Sequence, residues 1–206
     1  MDEITNAAIR DHEIRTEEWQ FSRLSERLYT WFDRFNERFF EQKLQTPAIS
    51  FRTTGIKRLG HYVIGRNDFG LKRNININQL YVNLPLKEIL GILLHEMVHQ
   101  WQVEFRKRKG RGNYHNIEFM KKTEELGIPS SKRGVTLGYG DPFVALLREQ
   151  GVNAEITIGR DAPLLIPIPG KSKLKKWSCG CTNVRVAIED FWAICLKCEN
   201  EFKLCR

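Results

Sequence analysis

The pentapeptide His95-Glu96-Met97-Val98-His99, set directly after the apolar run Ile89-Leu90-Gly91-Ile92-Leu93-Leu94, constrains this chain more than any other feature. It reads HExxH inside what looks like a buried helix. Residues four apart on a helix lie one turn above each other on the same face. Both imidazoles can therefore reach one zinc ion, with Glu96 placed to act on a water in the metal's open position. The alternative is a chance pair of histidines satisfied within a packed helix. Such a helix demands a core around it, which the rest of the chain must supply.

Length and composition allow that core. The chain has 206 residues, 41% hydrophobic and 28% charged, a globular balance. This is enough for one domain of ordinary size and a small appendage. No stretch of eighteen apolar residues is present, so the expectation is that nothing spans a membrane. The N-terminus, Met1-Asp2-Glu3-Ile4-Thr5, lacks the basic and apolar regions of a signal peptide. An intracellular setting is expected, cytoplasmic or nucleoid-associated in a bacterium or virus and nuclear in a eukaryote.

All five cysteines fall between Cys179 and Cys205. Cys179-Gly180-Cys181 and Cys195-Leu196-Lys197-Cys198 form two clips, separated by a segment with Val184, Val186, Ile188, Phe191 and Trp192 that suits a short hairpin. Paired clips read as a four-cysteine structural zinc ribbon. The first clip has one spacer residue where two are commoner. A redox pair is the alternative, but it has no need of a second clip. Cys205 is left over as a free thiol.

The net charge of +8 is concentrated. Arg106, Lys107, Arg108, Lys109 and Arg111 follow the HExxH helix, and Lys171, Lys173, Lys175, Lys176 and Trp177 lead into the first cysteine clip. Either run alone is commonly solvated surface. Two runs, one beside each zinc motif, point to a polyanion whose binding weakens with salt. Trp177 or Tyr114 could stack on an unpaired base.

Along the chain, Leu24, Leu28, Trp31, Phe32, Phe35 and Phe39 recur at helical steps and predict a core-facing helix over about 16–43. Strands are expected at 48–51, 61–65 and 74–78, the last alternating Asn and Ile in strand period. The HExxH helix is expected over about 86–105, opening at Pro85. A further helix is expected from about Asn116 to Leu126, stopped by Gly127 and Pro129. Residues 130–178 read as loops and a linker around one short helix near Pro142–Glu149. The expected division is 1–165 for the HExxH domain and 166–206 for the basic linker and ribbon.

A catalytic zinc needs a third protein ligand. The pattern HExxHxxGxxH requires glycine at 102 and histidine at 105, where Gln102 and Phe105 stand, so that arrangement is excluded. Glu118 and His115 remain. Imidazole is the commoner ligand at such a site, which favours His115, with Glu118 then an acceptor that orients a ligand.

Leu93-Leu94-His95-Glu96-Met97-Val98-His99, a basic loop, His115-Asn116-Ile117-Glu118-Phe119 and a ribbon opening Cys179-Gly180-Cys181 together resemble the SprT-like/Spartan family. The resemblance covers about Leu24 to Gly127 and, separately, the ribbon. It implies an α+β, zincin-like metalloprotease domain, helices packed on a small sheet, followed by a small zinc ribbon. It maps the family's three ligands onto His95, His99 and His115 and its general base onto Glu96. Tyr114 stands where the family often has glycine. The implied activity is DNA-dependent cleavage of proteins bound or crosslinked to DNA, single-stranded or junction-containing, with one catalytic and one structural zinc. Zinc would lower the pKa of its water from about 15.7 toward about 7, and Glu96 would take the proton. His61 and Tyr62 are candidates for an oxyanion donor. Two other readings remain: a nucleic-acid-binding zinc protein with an idle protease fold, and a general metallopeptidase.

Overall fold

The structure is a computed structural model that describes residues 2–67, 70, 72–105, 115–155, 174–188 and 190–205. It divides into two compact units, Met1–Pro167 and Ile168–Arg206. The larger unit holds α1 (Asp2–Arg15), α2 (Ser22–Phe40), β1 (Ala48–Ser50), β2 (Gly60–Arg66), β3 (Lys72–Ile77), α3 (Leu86–Phe105), α4 (Ile117–Glu125) and α5 (Phe143–Glu149). The class is α+β. No helix among the described residues is long and apolar enough to cross a membrane.

The N-terminal region is two helices, where one over 16–43 was expected. α2 carries the aromatic stripe, burying Leu28, Trp31, Phe32 and Phe35, and Phe35 meets Phe143 of α5 at 6.0 Å between ring centroids. It ends where Glu41 and Gln42 turn left-handed. Asn36 then closes the end with a two-way amide bond to the backbone N–H and C=O of Leu44. α1 docks through polar contacts instead. Asn6 donates to the carbonyls of Thr46 and Lys72, and Glu13 accepts from Ser25 and Tyr29.

α3 is buried all round from Ile89 to Gln100, with Leu90, Leu93, Leu94, Met97 and Val98 fully buried, which suits a central helix with neighbours on several sides. It packs against β2 and β3 on one side and against α2 and α4 on others. Gly91 in its interior costs about 1 kcal/mol of helix propensity. A Cβ there would lie 2.6 Å from the Tyr139 hydroxyl, so the glycine makes room for that ring.

The sheet order is β1-β3-β2, with β1 parallel and β2 antiparallel to β3. Among the described residues β2 pairs on one side only, leaving an open edge. The Asn-Ile alternation of β3 is a strand, but its polar side is not solvated. Asn74, Asn76 and the following Asn78 are buried, and each ties down backbone from an earlier segment. Asn74 donates to Ala48 O, Asn76 exchanges bonds with the backbone of Arg52, and Asn78 donates to Gly55 O and Arg58 O. A buried amide must find such partners, and here they are supplied by β1 and by the loop that leads from it to β2.

The smaller unit is a three-stranded sheet of order β5-β4-β6, from β4 (Lys175–Ser178), β5 (Asn183–Val186) and β6 (Lys203–Leu204). Its core is Trp177 against Phe191, with Phe202 next in line.

Candidate metal centre and active-site cleft

α3 places His95, Glu96 and His99 on the same turn region, all buried. α4 begins just after His115, because the Asn116 side chain accepts the Phe119 N–H at 2.8 Å and caps the helix. That cap swings His115 back onto α3. Nε2 of His115 lies 3.2 Å from Nε2 of His95 and 3.1 Å from Nε2 of His99. Three imidazole nitrogens bound tetrahedrally at about 2.0–2.1 Å stand about 3.3 Å apart, so the residues present fit a zinc ion. Glu118, the alternative ligand, has no oxygen in this cluster.

The rings are oriented by neighbours that the sequence reading did not assign. Ser130 Oγ donates to Ile128 O and sits 3.4 Å from His95 Nδ1, so it is left to accept from that nitrogen and Nε2 keeps its lone pair for a metal. The Gln102 side chain bonds the His99 ring, and its Nε2 donates to Asn116 Oδ1 at 3.0 Å. Gln102, which excluded one ligand pattern, thus joins a ligand to the cap of α4. Phe119 is fully buried, stacked on His99 at 4.3 Å and edge-on to His95 and His115. Gly134 also packs closely on His115, where a Cβ would lie 2.2 Å from Cε1.

Burial dominates the electrostatics. Desolvation drives His95 down to about 3 and His99 to about 2, and it lowers His115 as well. All three rings are therefore neutral at pH 7, the form that binds metal. Burial also pushes Glu96 up to about 8, against a Tyr62 backbone hydrogen bond and the Arg58 charge that pull it down. Glu96 Oε2 is buried without a partner, a polar atom aimed at something it must hydrogen-bond.

The centre opens into a cleft of about 870 Å³. Its walls include Leu59 and then Gly60 to Val63 of the open-edged β2, and Arg133 to Thr136 beside His115. His61 lines it with Nδ1 unpartnered, its pKa lowered by burial and then by Arg58 and Arg52. Tyr62 also lines the cleft, with its ring packed into the core and its backbone hydrogen-bonded to Glu96.

In the smaller unit Cys179, Cys181, Cys195 and Cys198 bring their Sγ atoms together, all within 4.8 Å of one another. Two of the separations are 3.4 and 3.5 Å. Backbone N–H groups of Lys197 and Cys198 hold the Cys195 thiol below its usual range, while Cys198, Cys179 and Cys195 push Cys181 up. Four sulfurs this close, at the spacing for Zn–S bonds of about 2.3 Å, fit a metal ion. Cys205 stays outside the cluster.

The nucleic-acid candidates divide. Arg106, Lys107, Arg108, Lys109, Arg111 and Lys173 lie outside the described residues, as does Tyr114. Lys176 is exposed and Lys175 half-buried. Trp177 is a correction: buried against Phe191, it has no face for a base. The exposed aromatic of this unit is Trp192, 82% accessible, with Ile194 and Leu196 also exposed nearby in sequence. Strand period does not separate the two tryptophans, since which one is covered depends on Phe191.

No curated protein matches the chain. A model of the SprT-like family matches residues 28–136, which span α2 to Thr136 and contain all three histidines, Glu96, Phe119 and Gly134. More than half of the sequence is covered by that match, and the chain belongs to the SprT-like family, a zinc-metalloprotease-like family.

Proposed function

We propose that this protein is a zinc-dependent endopeptidase that, when DNA is present, cuts proteins bound or crosslinked to it. The observation that carries the peptidase reading is the buried, unpartnered Glu96 Oε2 beside three converging Nε2 atoms at the floor of an open cleft. His95, His99 and His115 would hold the catalytic zinc, and the four cysteines a structural one. When bound, the catalytic zinc supplies Lewis acidity, polarising the scissile carbonyl and lowering the pKa of water.

The rest is the work of this chain's side chains and backbone. Glu96 takes the proton of the attacking water and delivers it to the leaving amine. Its burial, which lifts its pKa toward the working range, suits both halves of that transfer. The open edge of β2 offers backbone N–H and C=O groups to an extended peptide, adding it as a strand beside the reacting centre. Strand addition recognises backbone in any unfolded segment, so discrimination must come from elsewhere.

The DNA requirement is supported by charge and by the second unit. A net charge of +8 with basic runs next to both metal motifs suits a phosphate backbone. The ribbon displays Trp192 together with exposed Lys176, Arg185 and Lys197, the combination of aromatic face and cations that single strands favour. The test is proteolysis of a DNA-binding protein with and without single-stranded DNA, across a salt series. Cleavage that needs DNA and fades with salt supports the reading. Cleavage indifferent to both leaves a general metallopeptidase, and tight DNA binding with no cleavage leaves a binding protein.

A further inference from the structure

Strand addition along β2 leaves open what the cleft selects, and its charges answer in one direction. Lys57 and Arg58 line it from the loop before β2, and Arg133 lines it from the turn beside His115. All three are exposed, and none forms an ion pair among the described residues. The acids lining the cleft are Glu96, the proposed base, and Glu88, whose Oε2 already accepts the Tyr139 hydroxyl at 2.7 Å. Three cations thus face two carboxylates, of which Glu96 lies within the field of Arg58, so the cleft carries net positive charge.

The cations are also held in place. Buried Asn78 grips the carbonyls of Gly55 and Arg58, its own N–H bonds Leu59 O at 2.8 Å, and the Tyr81 hydroxyl donates to Ile56 O. Arg133 sits on a turn in which Ser131 Oγ accepts from the N–H groups of Arg133 and Val135. The same bonds satisfy the buried Asn78 amide, and in doing so they fix the loop backbone that carries Lys57 and Arg58. Anchored backbone under charged side chains restricts where those charges can be, which is what selection of a substrate charge requires.

Resting on the peptidase reading, we propose that Lys57 and Arg58, aided by Arg133, select substrates with an aspartate or glutamate close to the scissile bond. A peptide paired with β2 sends alternate side chains to opposite faces. A carboxylate near the bond can then meet these cations, whereas a lysine there is repelled. The same cations could instead carry DNA phosphates past the cleft, and the experiment separates the two.

Quenched fluorescent peptides, identical except for Glu, Ala or Lys near the central bond, are cleaved by the zinc-loaded full chain with single-stranded DNA present. The expected kcat/KM is about fivefold higher for Glu than Ala, the upper end for one water-exposed ion pair, and correspondingly lower for Lys. In K57E/R58E the order inverts. Equal rates for the three peptides, or an order unchanged in the variant, overturn the proposal. So does a variant that loses only DNA affinity. Binding of the same peptides to zinc-loaded Glu96→Gln, followed by anisotropy, decides the matter without turnover. Tighter binding of the Glu peptide that reverses in K57E/R58E/E96Q supports selection even if the wild type cleaves nothing, an outcome that would sink the peptidase reading alone. Equal binding sinks selection.

Discussion

Replacing Gly134 by alanine should cost the protein its catalytic metal while leaving it folded. The new Cβ would stand 2.2 Å from Cε1 of His115, 2.5 Å from Nε2 and 2.8 Å from Nδ1. Contacts below 3.0 Å do not occur and ordinary ones begin at 3.4 Å, so the ring must retreat by 0.8–1.2 Å from the 2.2 Å start. Its Nε2 is already 3.1–3.2 Å from the other two imidazoles, so the ring cannot move inward and must swing out. A zinc–nitrogen bond tolerates about 0.2 Å. Misplacing a ligand this far should weaken zinc by about 100-fold or more, at or beyond the roughly 10–100-fold seen for lost outer partners. Gly134 also has φ +76, where a side chain costs about 1–2 kcal/mol. Gly151→Ala is the control, with φ +74 and nothing within 4 Å of its Cβ. Both variants should melt a few degrees lower, at about 2–4 °C per kcal/mol for a chain of this size. Only Gly134→Ala should lose one of two zinc ions in a chelator titration. Two ions bound with unchanged affinity in that variant would refute the packing argument.

His115→Ala should also lose one zinc, and Glu118→Ala should lose none; metal analysis of both tells which residue is the ligand. Cys195→Ser should lose the other zinc, and a protein still binding two ions would mean the cysteine cluster is not a site. Glu13 gives a pH dependence. Its folded pKa is raised to about 7 from 4.5, chiefly by burial. The fold thus favours its neutral form, and the stability it contributes is complete below pH 4.5 and lost as pH rises to about 7. Because the carboxyl keeps partial contact with solvent, the loss is discounted to about 1–2 kcal/mol. Urea unfolding at pH 5 and pH 8 should show that loss on top of the protein's other titrations, and Glu13→Gln should remove it; an identical pH slope in the variant would assign the dependence elsewhere.

The metal motif was legible because its chemistry is local. HExxH needs only a helix, and the apolar run around it supplied one. The third ligand was harder, since the choice of His115 over Glu118 depends on how Asn116 caps α4 and turns the chain. The α2 stripe was plain from its period, but α1 was not. It docks through Asn6 and Glu13, polar residues that carry no periodic signal. Period also misled at β3. Alternation of Asn and Ile says that one side is polar, not that backbone from β1 and the following loop, residues 48–58, will cover it. Gly134 and Ser130 fell in a stretch that read as loop, and their roles exist only through contact with residues far away in sequence.

The central claim is that Glu96 acts at a metal held by three histidines to break peptide bonds. Its most direct test compares wild type and Glu96→Gln, matched in zinc content, in cleavage of a DNA-bound protein substrate with single-stranded DNA present. The account predicts equal zinc and a rate lower by about 10²–10⁴-fold in the variant, the usual weight of a general base. Equal cleavage by the two proteins would contradict it.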